Sequence, residues 1–127
     1  MSGYLFDTQI LLWFLSGDDR LPKSMRKTME DPSTEKYISI ASAWEIAVKT
    51  SLGKSVIDGG VNEFWRVFIE GGFVELPISI EVIRILETLP LHHKDPFDRI
   101  LVATAIAHKL ELVTSDAELG NYFTKQP

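Results

Sequence analysis

Four acids in this chain stand where a divalent cation could gather them: Asp7, Glu45, Asp98 and Asp116. Asp7 closes the apolar run GYLFD, Glu45 lies in SAWEIAVKT, Asp98 in DPFDRILVATA, and Asp116 follows the stretch ELVT. Carboxylates brought close together repel and are costly to desolvate, so the usual reason to gather them is a cation that neutralises them. The chain has no cysteine, so its donors are oxygens and imidazoles, a set that favours hard ions such as magnesium or manganese. One or two such ions polarise a phosphodiester, activate a water and stabilise the leaving oxygen. The pattern points to phosphodiester hydrolysis.

Each acid also has a purely structural reading. Ser42 to Glu45 fits a capping box, Asp95 before Pro96 is a natural N-cap that leaves Asp98 at N3, and Ser115 to Glu118 is a second box with Asp116 in its first turn. Asp7 could cap a helix opening at Thr8. Asp7 tips the balance, because an ionisable group closing an apolar strand is expensive without a partner. Lys49, Lys54, Lys94 and Arg99 lie near the acids in sequence and could form a phosphate-facing rim, although solvated charge is the ordinary role of such residues. His92 and His93 are adjacent and cannot share a helical face, and His108 falls late in a helix, so no zinc site is expected. Trp13, Trp44, Trp65, Phe68 and Phe73 sit in apolar-patterned segments and read as core or subunit interface rather than as base-stacking platforms.

The elements that must position these acids alternate between strand and helix. GYLFD reads as a buried strand, followed by the helix TQILLWFLSG closed at Gly17; a second helix runs from Leu21 to the Asp31-Pro32 break. KYISI is a strand, and the next helix is expected to open at Ser42 and stop near Gly53. VNEFWRVFIEGG is helical, FVELPI extended, SIEVIRILETLP helical, DPFDRILVATAIAHK helical, ELVT a strand and SDAELGNYF a terminal helix. Strands alternating with helices predict a parallel sheet covered on both faces, with ligands bound outside the carboxyl ends of the strands. Asp7, Glu45, Asp98 and Asp116 fall at such ends or in first turns of helices, so four distant segments could converge on one crevice.

With 127 residues, 45% hydrophobic and 24% charged, the chain suits one globular domain with a sizeable core. No stretch reaches the length of a transmembrane helix, and YLFDTQILLWFL lacks the basic leader and small-residue cleavage site of a signal peptide, so a cytoplasmic protein is expected. The net charge of −5 argues against nucleic-acid binding through bulk positive charge but leaves room for a local basic rim.

The segments YLFDTQILLW, ISIASAWEIAVKTSLGK, LPLHHKDPFDRILVATA and LELVTSD resemble, in order and spacing, the PIN-domain ribonucleases, and specifically the VapC-type toxins of toxin–antitoxin modules. The resemblance spans essentially the whole chain. It implies a three-layer α/β/α fold around a parallel sheet of four or five strands, with Asp7, Glu45, Asp98 and Asp116 as the acidic metal site for Mg2+ or Mn2+. It further implies endoribonuclease activity on an RNA substrate, a homodimer, and inhibition by a cognate VapB-like antitoxin. Thr8, Asp95, Arg99 and Lys49 would then support the site or the substrate, Asp95 as a cap rather than a ligand. Gln9 departs from the pattern, since this subgroup more often has histidine after Asp-Thr. The same glutamine disfavours an aspartyl phosphatase, which needs a second acid there. A receiver-like module would need paired acids after the first strand and a lysine after the last, and has neither. An inactive PIN-like interaction module stays open as the alternative.

Overall fold

The computed structural model describes residues 3–54, 56–91 and 94–116. His92, His93 and all but the first two residues of the expected C-terminal helix lie outside the described residues. Among the described residues four strands, β1 (Tyr4–Phe6), β2 (Lys36–Ser39), β3 (Val74–Leu76) and β4 (Glu111–Val113), form one parallel sheet in the order β3-β2-β1-β4. The expected four or five strands thus resolve to four. Six helices connect them: α1 (Thr8–Ser16), α2 (Lys23–Glu30), α3 (Ile40–Ser51), α4 (Gly60–Glu70), α5 (Ile80–Thr88) and α6 (Pro96–His108).

The strand pleat sends neighbouring residues to opposite faces, and the two faces carry separate cores. Leu5 and Leu112 pack with Val82 of α5 and with Leu101, Val102 and Ala105 of α6. Phe6, Ile38 and Val113 pack with Ile10 and Leu11 of α1, Met29 of α2, and Phe64 and Phe68 of α4. Helix α3 serves both, giving Ala41 to the first core and Ile46 to the second. This is a three-layer α/β/α arrangement. Phe64, Phe68 and Phe73 meet edge to face at centroid distances of 5.3 and 5.0 Å, contacts each worth about 0.5–1.5 kcal/mol beyond area burial.

The short strands feed directly into helices, and this sets where the caps fall. Helix α1 ends at Gly17, whose φ of 68° is the left-handed conformation that glycine adopts without strain. At α3 the expected start is displaced. Ser39, still extended at φ −88° and ψ 144°, caps the helix by accepting from the Ala41 amide at 2.9 Å. No loop separates β2 from α3, so the last strand residue is the cap, and Ser42 lies inside the first turn. The Ser42 to Glu45 capping box is therefore not formed. Ser42 instead accepts from the Thr8 hydroxyl at 3.0 Å, tying α3 to α1 within the buried interior.

Candidate active site

In the order β3-β2-β1-β4, β1 is central to the carboxyl edge, with β2 on one side and β4 on the other. Its last residue leads into Asp7, whose amide donates to the Val113 carbonyl at 3.0 Å and so ties the ends of β1 and β4 together. Asp7 is only 4% exposed. Its Oδ1 caps α1 by accepting from the Ile10 amide at 2.8 Å, while Oδ2 accepts a short hydrogen bond from the Thr114 hydroxyl. Burial pushes the Asp7 carboxyl above its ordinary range. The Thr114 hydroxyl and the amides of Ile10 and Ser115 oppose that push, and the charge of Glu45 adds to it. The cap and the site are thus one residue, because the turn that exposes the orphan amides of α1 also lies at the crevice.

Glu45 projects from the second turn of α3, and with no capping role it faces the same crevice. It is buried, its Oε2 meets the Lys49 ammonium at 3.0 Å, and its Oε1 is buried with no hydrogen-bond partner. From the opposite layer, Asp95 caps α6 by accepting from the amides of Phe97 and Asp98 at 2.8 and 3.3 Å, with Pro96 at N1. That leaves Asp98 half-buried in the first turn. Asp116 follows β4, and its amide donates to the Thr114 hydroxyl oxygen at 3.0 Å.

These groups line one cleft of about 200 Å³, walled by Asp7, Thr8, Gln9, Leu12, Glu45, Lys49, Asp95, Asp98, Ser115 and Asp116. All four acids singled out in the sequence reach it, as do Thr8, Asp95 and Lys49. Arg99 does not line it: its guanidinium turns away to the carbonyls of Pro90 and Leu89 at 3.0 and 3.4 Å. It borders an apolar groove with Trp44, Ile83, Leu86 and Lys94 instead. Lys54 is exposed outside the cleft. Thr114 escaped the sequence reading. It accepts from the Asp116 amide and donates to Asp7, and the only signal for it was a hydroxyl residue ending ELVT beside an acid.

The donor set suits a hard divalent cation. Five carboxylates crowd the cleft, Glu45 Oε1 is an orphaned acceptor in its wall, and a buried acceptor without a partner is destabilising by about 1–3 kcal/mol. Among the described residues no three acids or histidines are already drawn around one point. Asp7 accepts from Ile10 and Thr114 and keeps lone pairs for an ion, whereas Glu45 Oε2 is paired with the Lys49 ammonium.

Comparisons with known proteins bear on the family and the fold. The family profile described as "PIN domain" matches residues 4–122. No curated protein matches the chain at a significant level. Among solved structures, a chain of a toxin–antitoxin complex from Klebsiella pneumoniae superposes with a TM-score of 0.61 at 23% identity, covering 98% of this chain and 93% of that one. A chain of VapBC2 from Rickettsia felis, crystallised bound to a DNA fragment from their promoter, superposes with a TM-score of 0.70 at 16% identity, covering 94% and 92%. At these identities the likeness is one of fold.

Proposed function

Because this chain belongs to the PIN-domain family, we propose that it is a metal-dependent endoribonuclease acting as the toxin of a toxin–antitoxin pair. The observation that carries the reading is the convergence of Asp7, Glu45, Asp98 and Asp116, from four separate segments, on one cleft with an orphaned carboxylate oxygen in its wall. Asp7, Asp98 and Asp116 would hold a magnesium or manganese ion, and Glu45 would complete the site or orient water. The bound ion supplies Lewis-acid charge and an acidified water. The protein's own part is positioning. Thr114 fixes Asp7 and the Asp116 backbone together, and the Asp95 cap sets the first turn that presents Asp98. Lys49, on the cleft wall, offers positive charge to a substrate phosphate, which lets an acidic protein approach RNA.

The partner reading rests on the structural neighbours, both from toxin–antitoxin complexes. It includes a cognate VapB-like antitoxin and a homodimer. The apolar groove bearing Trp44, 50% exposed, and Leu91, 70% exposed, offers surface for self-association. No helix among the described residues is long and apolar enough to cross a membrane.

The test is manganese-dependent cleavage of structured RNAs by the purified protein, with Asp98→Asn as control, together with growth on expression without an antitoxin. Cleavage and growth arrest lost together in Asp98→Asn support the reading. The second reading, a catalytically silent PIN-like module, draws on the observation that among the described residues no three acids are already gathered around one point. It predicts manganese binding with no cleavage by either protein.

A further inference from the structure

The acidic cleft contains its own cation. Among the described residues lining it, Lys49 is the one basic side chain, set against five carboxylates. Its ammonium meets Glu45 Oε2 at 3.0 Å, one helical turn away on α3. The two partners differ sharply in freedom. The Glu45 side chain is 12% exposed and fixed in the wall, whereas Lys49 is 41% exposed on a flexible four-carbon stem. Glu45 Oε1 meanwhile has no hydrogen-bond partner. Lys49 therefore neutralises Glu45 without satisfying it, and an exposed ammonium loses little on leaving because water takes its place.

We propose that Lys49 is a displaceable internal counter-ion of this site: it holds Glu45 in the metal-free protein, and yields Glu45 to a divalent ion as it turns to the cleft mouth. The inference rests on the metal-site reading given above and adds a competition to it. A divalent ion satisfies both Glu45 oxygens' demand for charge, the ammonium and the ion repel one another at close range, and only Lys49 is free to move. The released ammonium then stands beside the cleft, where a substrate phosphate is the complementary group. Metal loading and readiness for an anionic substrate become a single event.

Calorimetric titration of the purified protein with Mn2+ tests the competition, comparing wild type, Lys49→Met, Lys49→Arg and Asp7→Asn. Removing one positive charge a few ångströms from a divalent site should tighten manganese about tenfold in Lys49→Met, while Lys49→Arg, which keeps the charge, stays near wild type. In a parallel Mg2+ titration followed by NMR, the ε-methylene resonance of Lys49 should shift with the same midpoint as metal binding. Unchanged or weaker manganese binding in Lys49→Met, with tight binding in wild type and loss in Asp7→Asn, overturns the counter-ion role and leaves the metal site standing. No binding in wild type removes the site, and the counter-ion with it.

Discussion

Two buried charges sit at opposite ends of the same sheet and are handled in different ways. Lys36 opens β2 at the amino edge and is 3% exposed; Asp7 follows β1 at the carboxyl edge and is 4% exposed. Lys36 donates to the Met29 carbonyl at 2.9 Å and lies 5.0 Å from the centroid of the Phe73 ring. Burial pushes its ammonium below the ordinary lysine range, with Asp31 opposing. Its direct partners are a neutral carbonyl and an aromatic face. Asp7 also has good partners, yet it looks onto a cleft with Glu45, a like charge that raises its pKa further. A buried charge met by a carbonyl, an aromatic face and an opposite charge is accommodated within the fold. A buried charge crowded by like charges marks a place where something else is meant to bind.

The largest effect expected from this contrast is on catalysis. Asp98→Asn and Asp7→Asn keep the side-chain shape but remove ligand charge. RNA cleavage should fall by more than about 100-fold, beyond the 10- to 100-fold typical of losing a group that merely supports a ligand. Circular dichroism should show both folded. The metal-free Asp7→Asn protein should melt higher than wild type at neutral pH, because the substitution removes a desolvated charge. The sign follows from the raised Asp7 value: between its ordinary and its native pKa the native state binds more protons, so wild-type stability falls as pH rises through that window. The gain in Asp7→Asn should accordingly vanish as the solution is acidified below the ordinary carboxylate range. A variant equally stable at every pH would erase the distinction between the two ends.

Thr114→Val sharpens the comparison next. It strips Asp7 Oδ2 of its short hydrogen bond and leaves the Asp116 amide without its hydroxyl acceptor. Activity should drop about 10- to 100-fold, the range for partners that orient a ligand, and stability by about 1–3 kcal/mol in urea unfolding. Thr114→Ser should restore most of both. If Thr114→Val were fully active, Asp7 would not need to be held.

Lys36→Met tests the other end and should leave cleavage unchanged, since Lys36 lies at the sheet edge away from the cleft. Stability should fall by no more than about 1–3 kcal/mol, since the Met29 carbonyl loses its donor while a desolvated ammonium is removed. The pH signature has the opposite sign to that of Asp7. With its native pKa lowered, Lys36 makes the unfolded chain bind more protons just below the ordinary lysine range, so wild-type stability rises there relative to Lys36→Met. Urea midpoints of both proteins, measured from neutral to alkaline pH, read this directly.

Much of the fold could be read in advance because its signals are local. Apolar runs of strand length followed by capped helices fix alternation, and alternation implies a parallel sheet with ligands at its carboxyl edge. Asp7 stood out because it closes an apolar strand, and Asp95 because Asp-Pro opens a helix. The start of α3 was misplaced for a local reason as well: Ser39 and Ser42 both suit a cap, and only the absence of a loop after β2 selects Ser39. What was illegible depends on long-range contact. Thr114 bonds to Asp7 across 107 positions of sequence, and no pattern in ELVT announces it. The direction taken by Arg99, toward Leu89 and Pro90 rather than into the cleft, depends on how α5 packs on α6. Lys36 gave no sign at all, since a lysine at a strand start ordinarily reads as exposed.

The smallest expected effect belongs to Asp95, which shares the cleft wall with Asp98 but spends its carboxylate on α6. Its Oδ1 already accepts from the amides of Phe97 and Asp98. Asn caps about as well as Asp, so Asp95→Asn should change stability by only a few tenths of a kcal/mol, while Asp95→Ala should lose about 0.5–2 kcal/mol. Cleavage should survive Asp95→Asn because the cap, not the charge, presents Asp98. Asp95→Ala should lose activity in proportion to fraying of the first turn of α6, and cooling should restore part of it. Melting curves with and without manganese, read beside cleavage rates, separate the cases. A loss of the manganese-induced shift in Asp95→Asn, with the metal-free melting temperature unchanged, would make Asp95 a ligand. The division of labour between two acids three residues apart would then have to be redrawn.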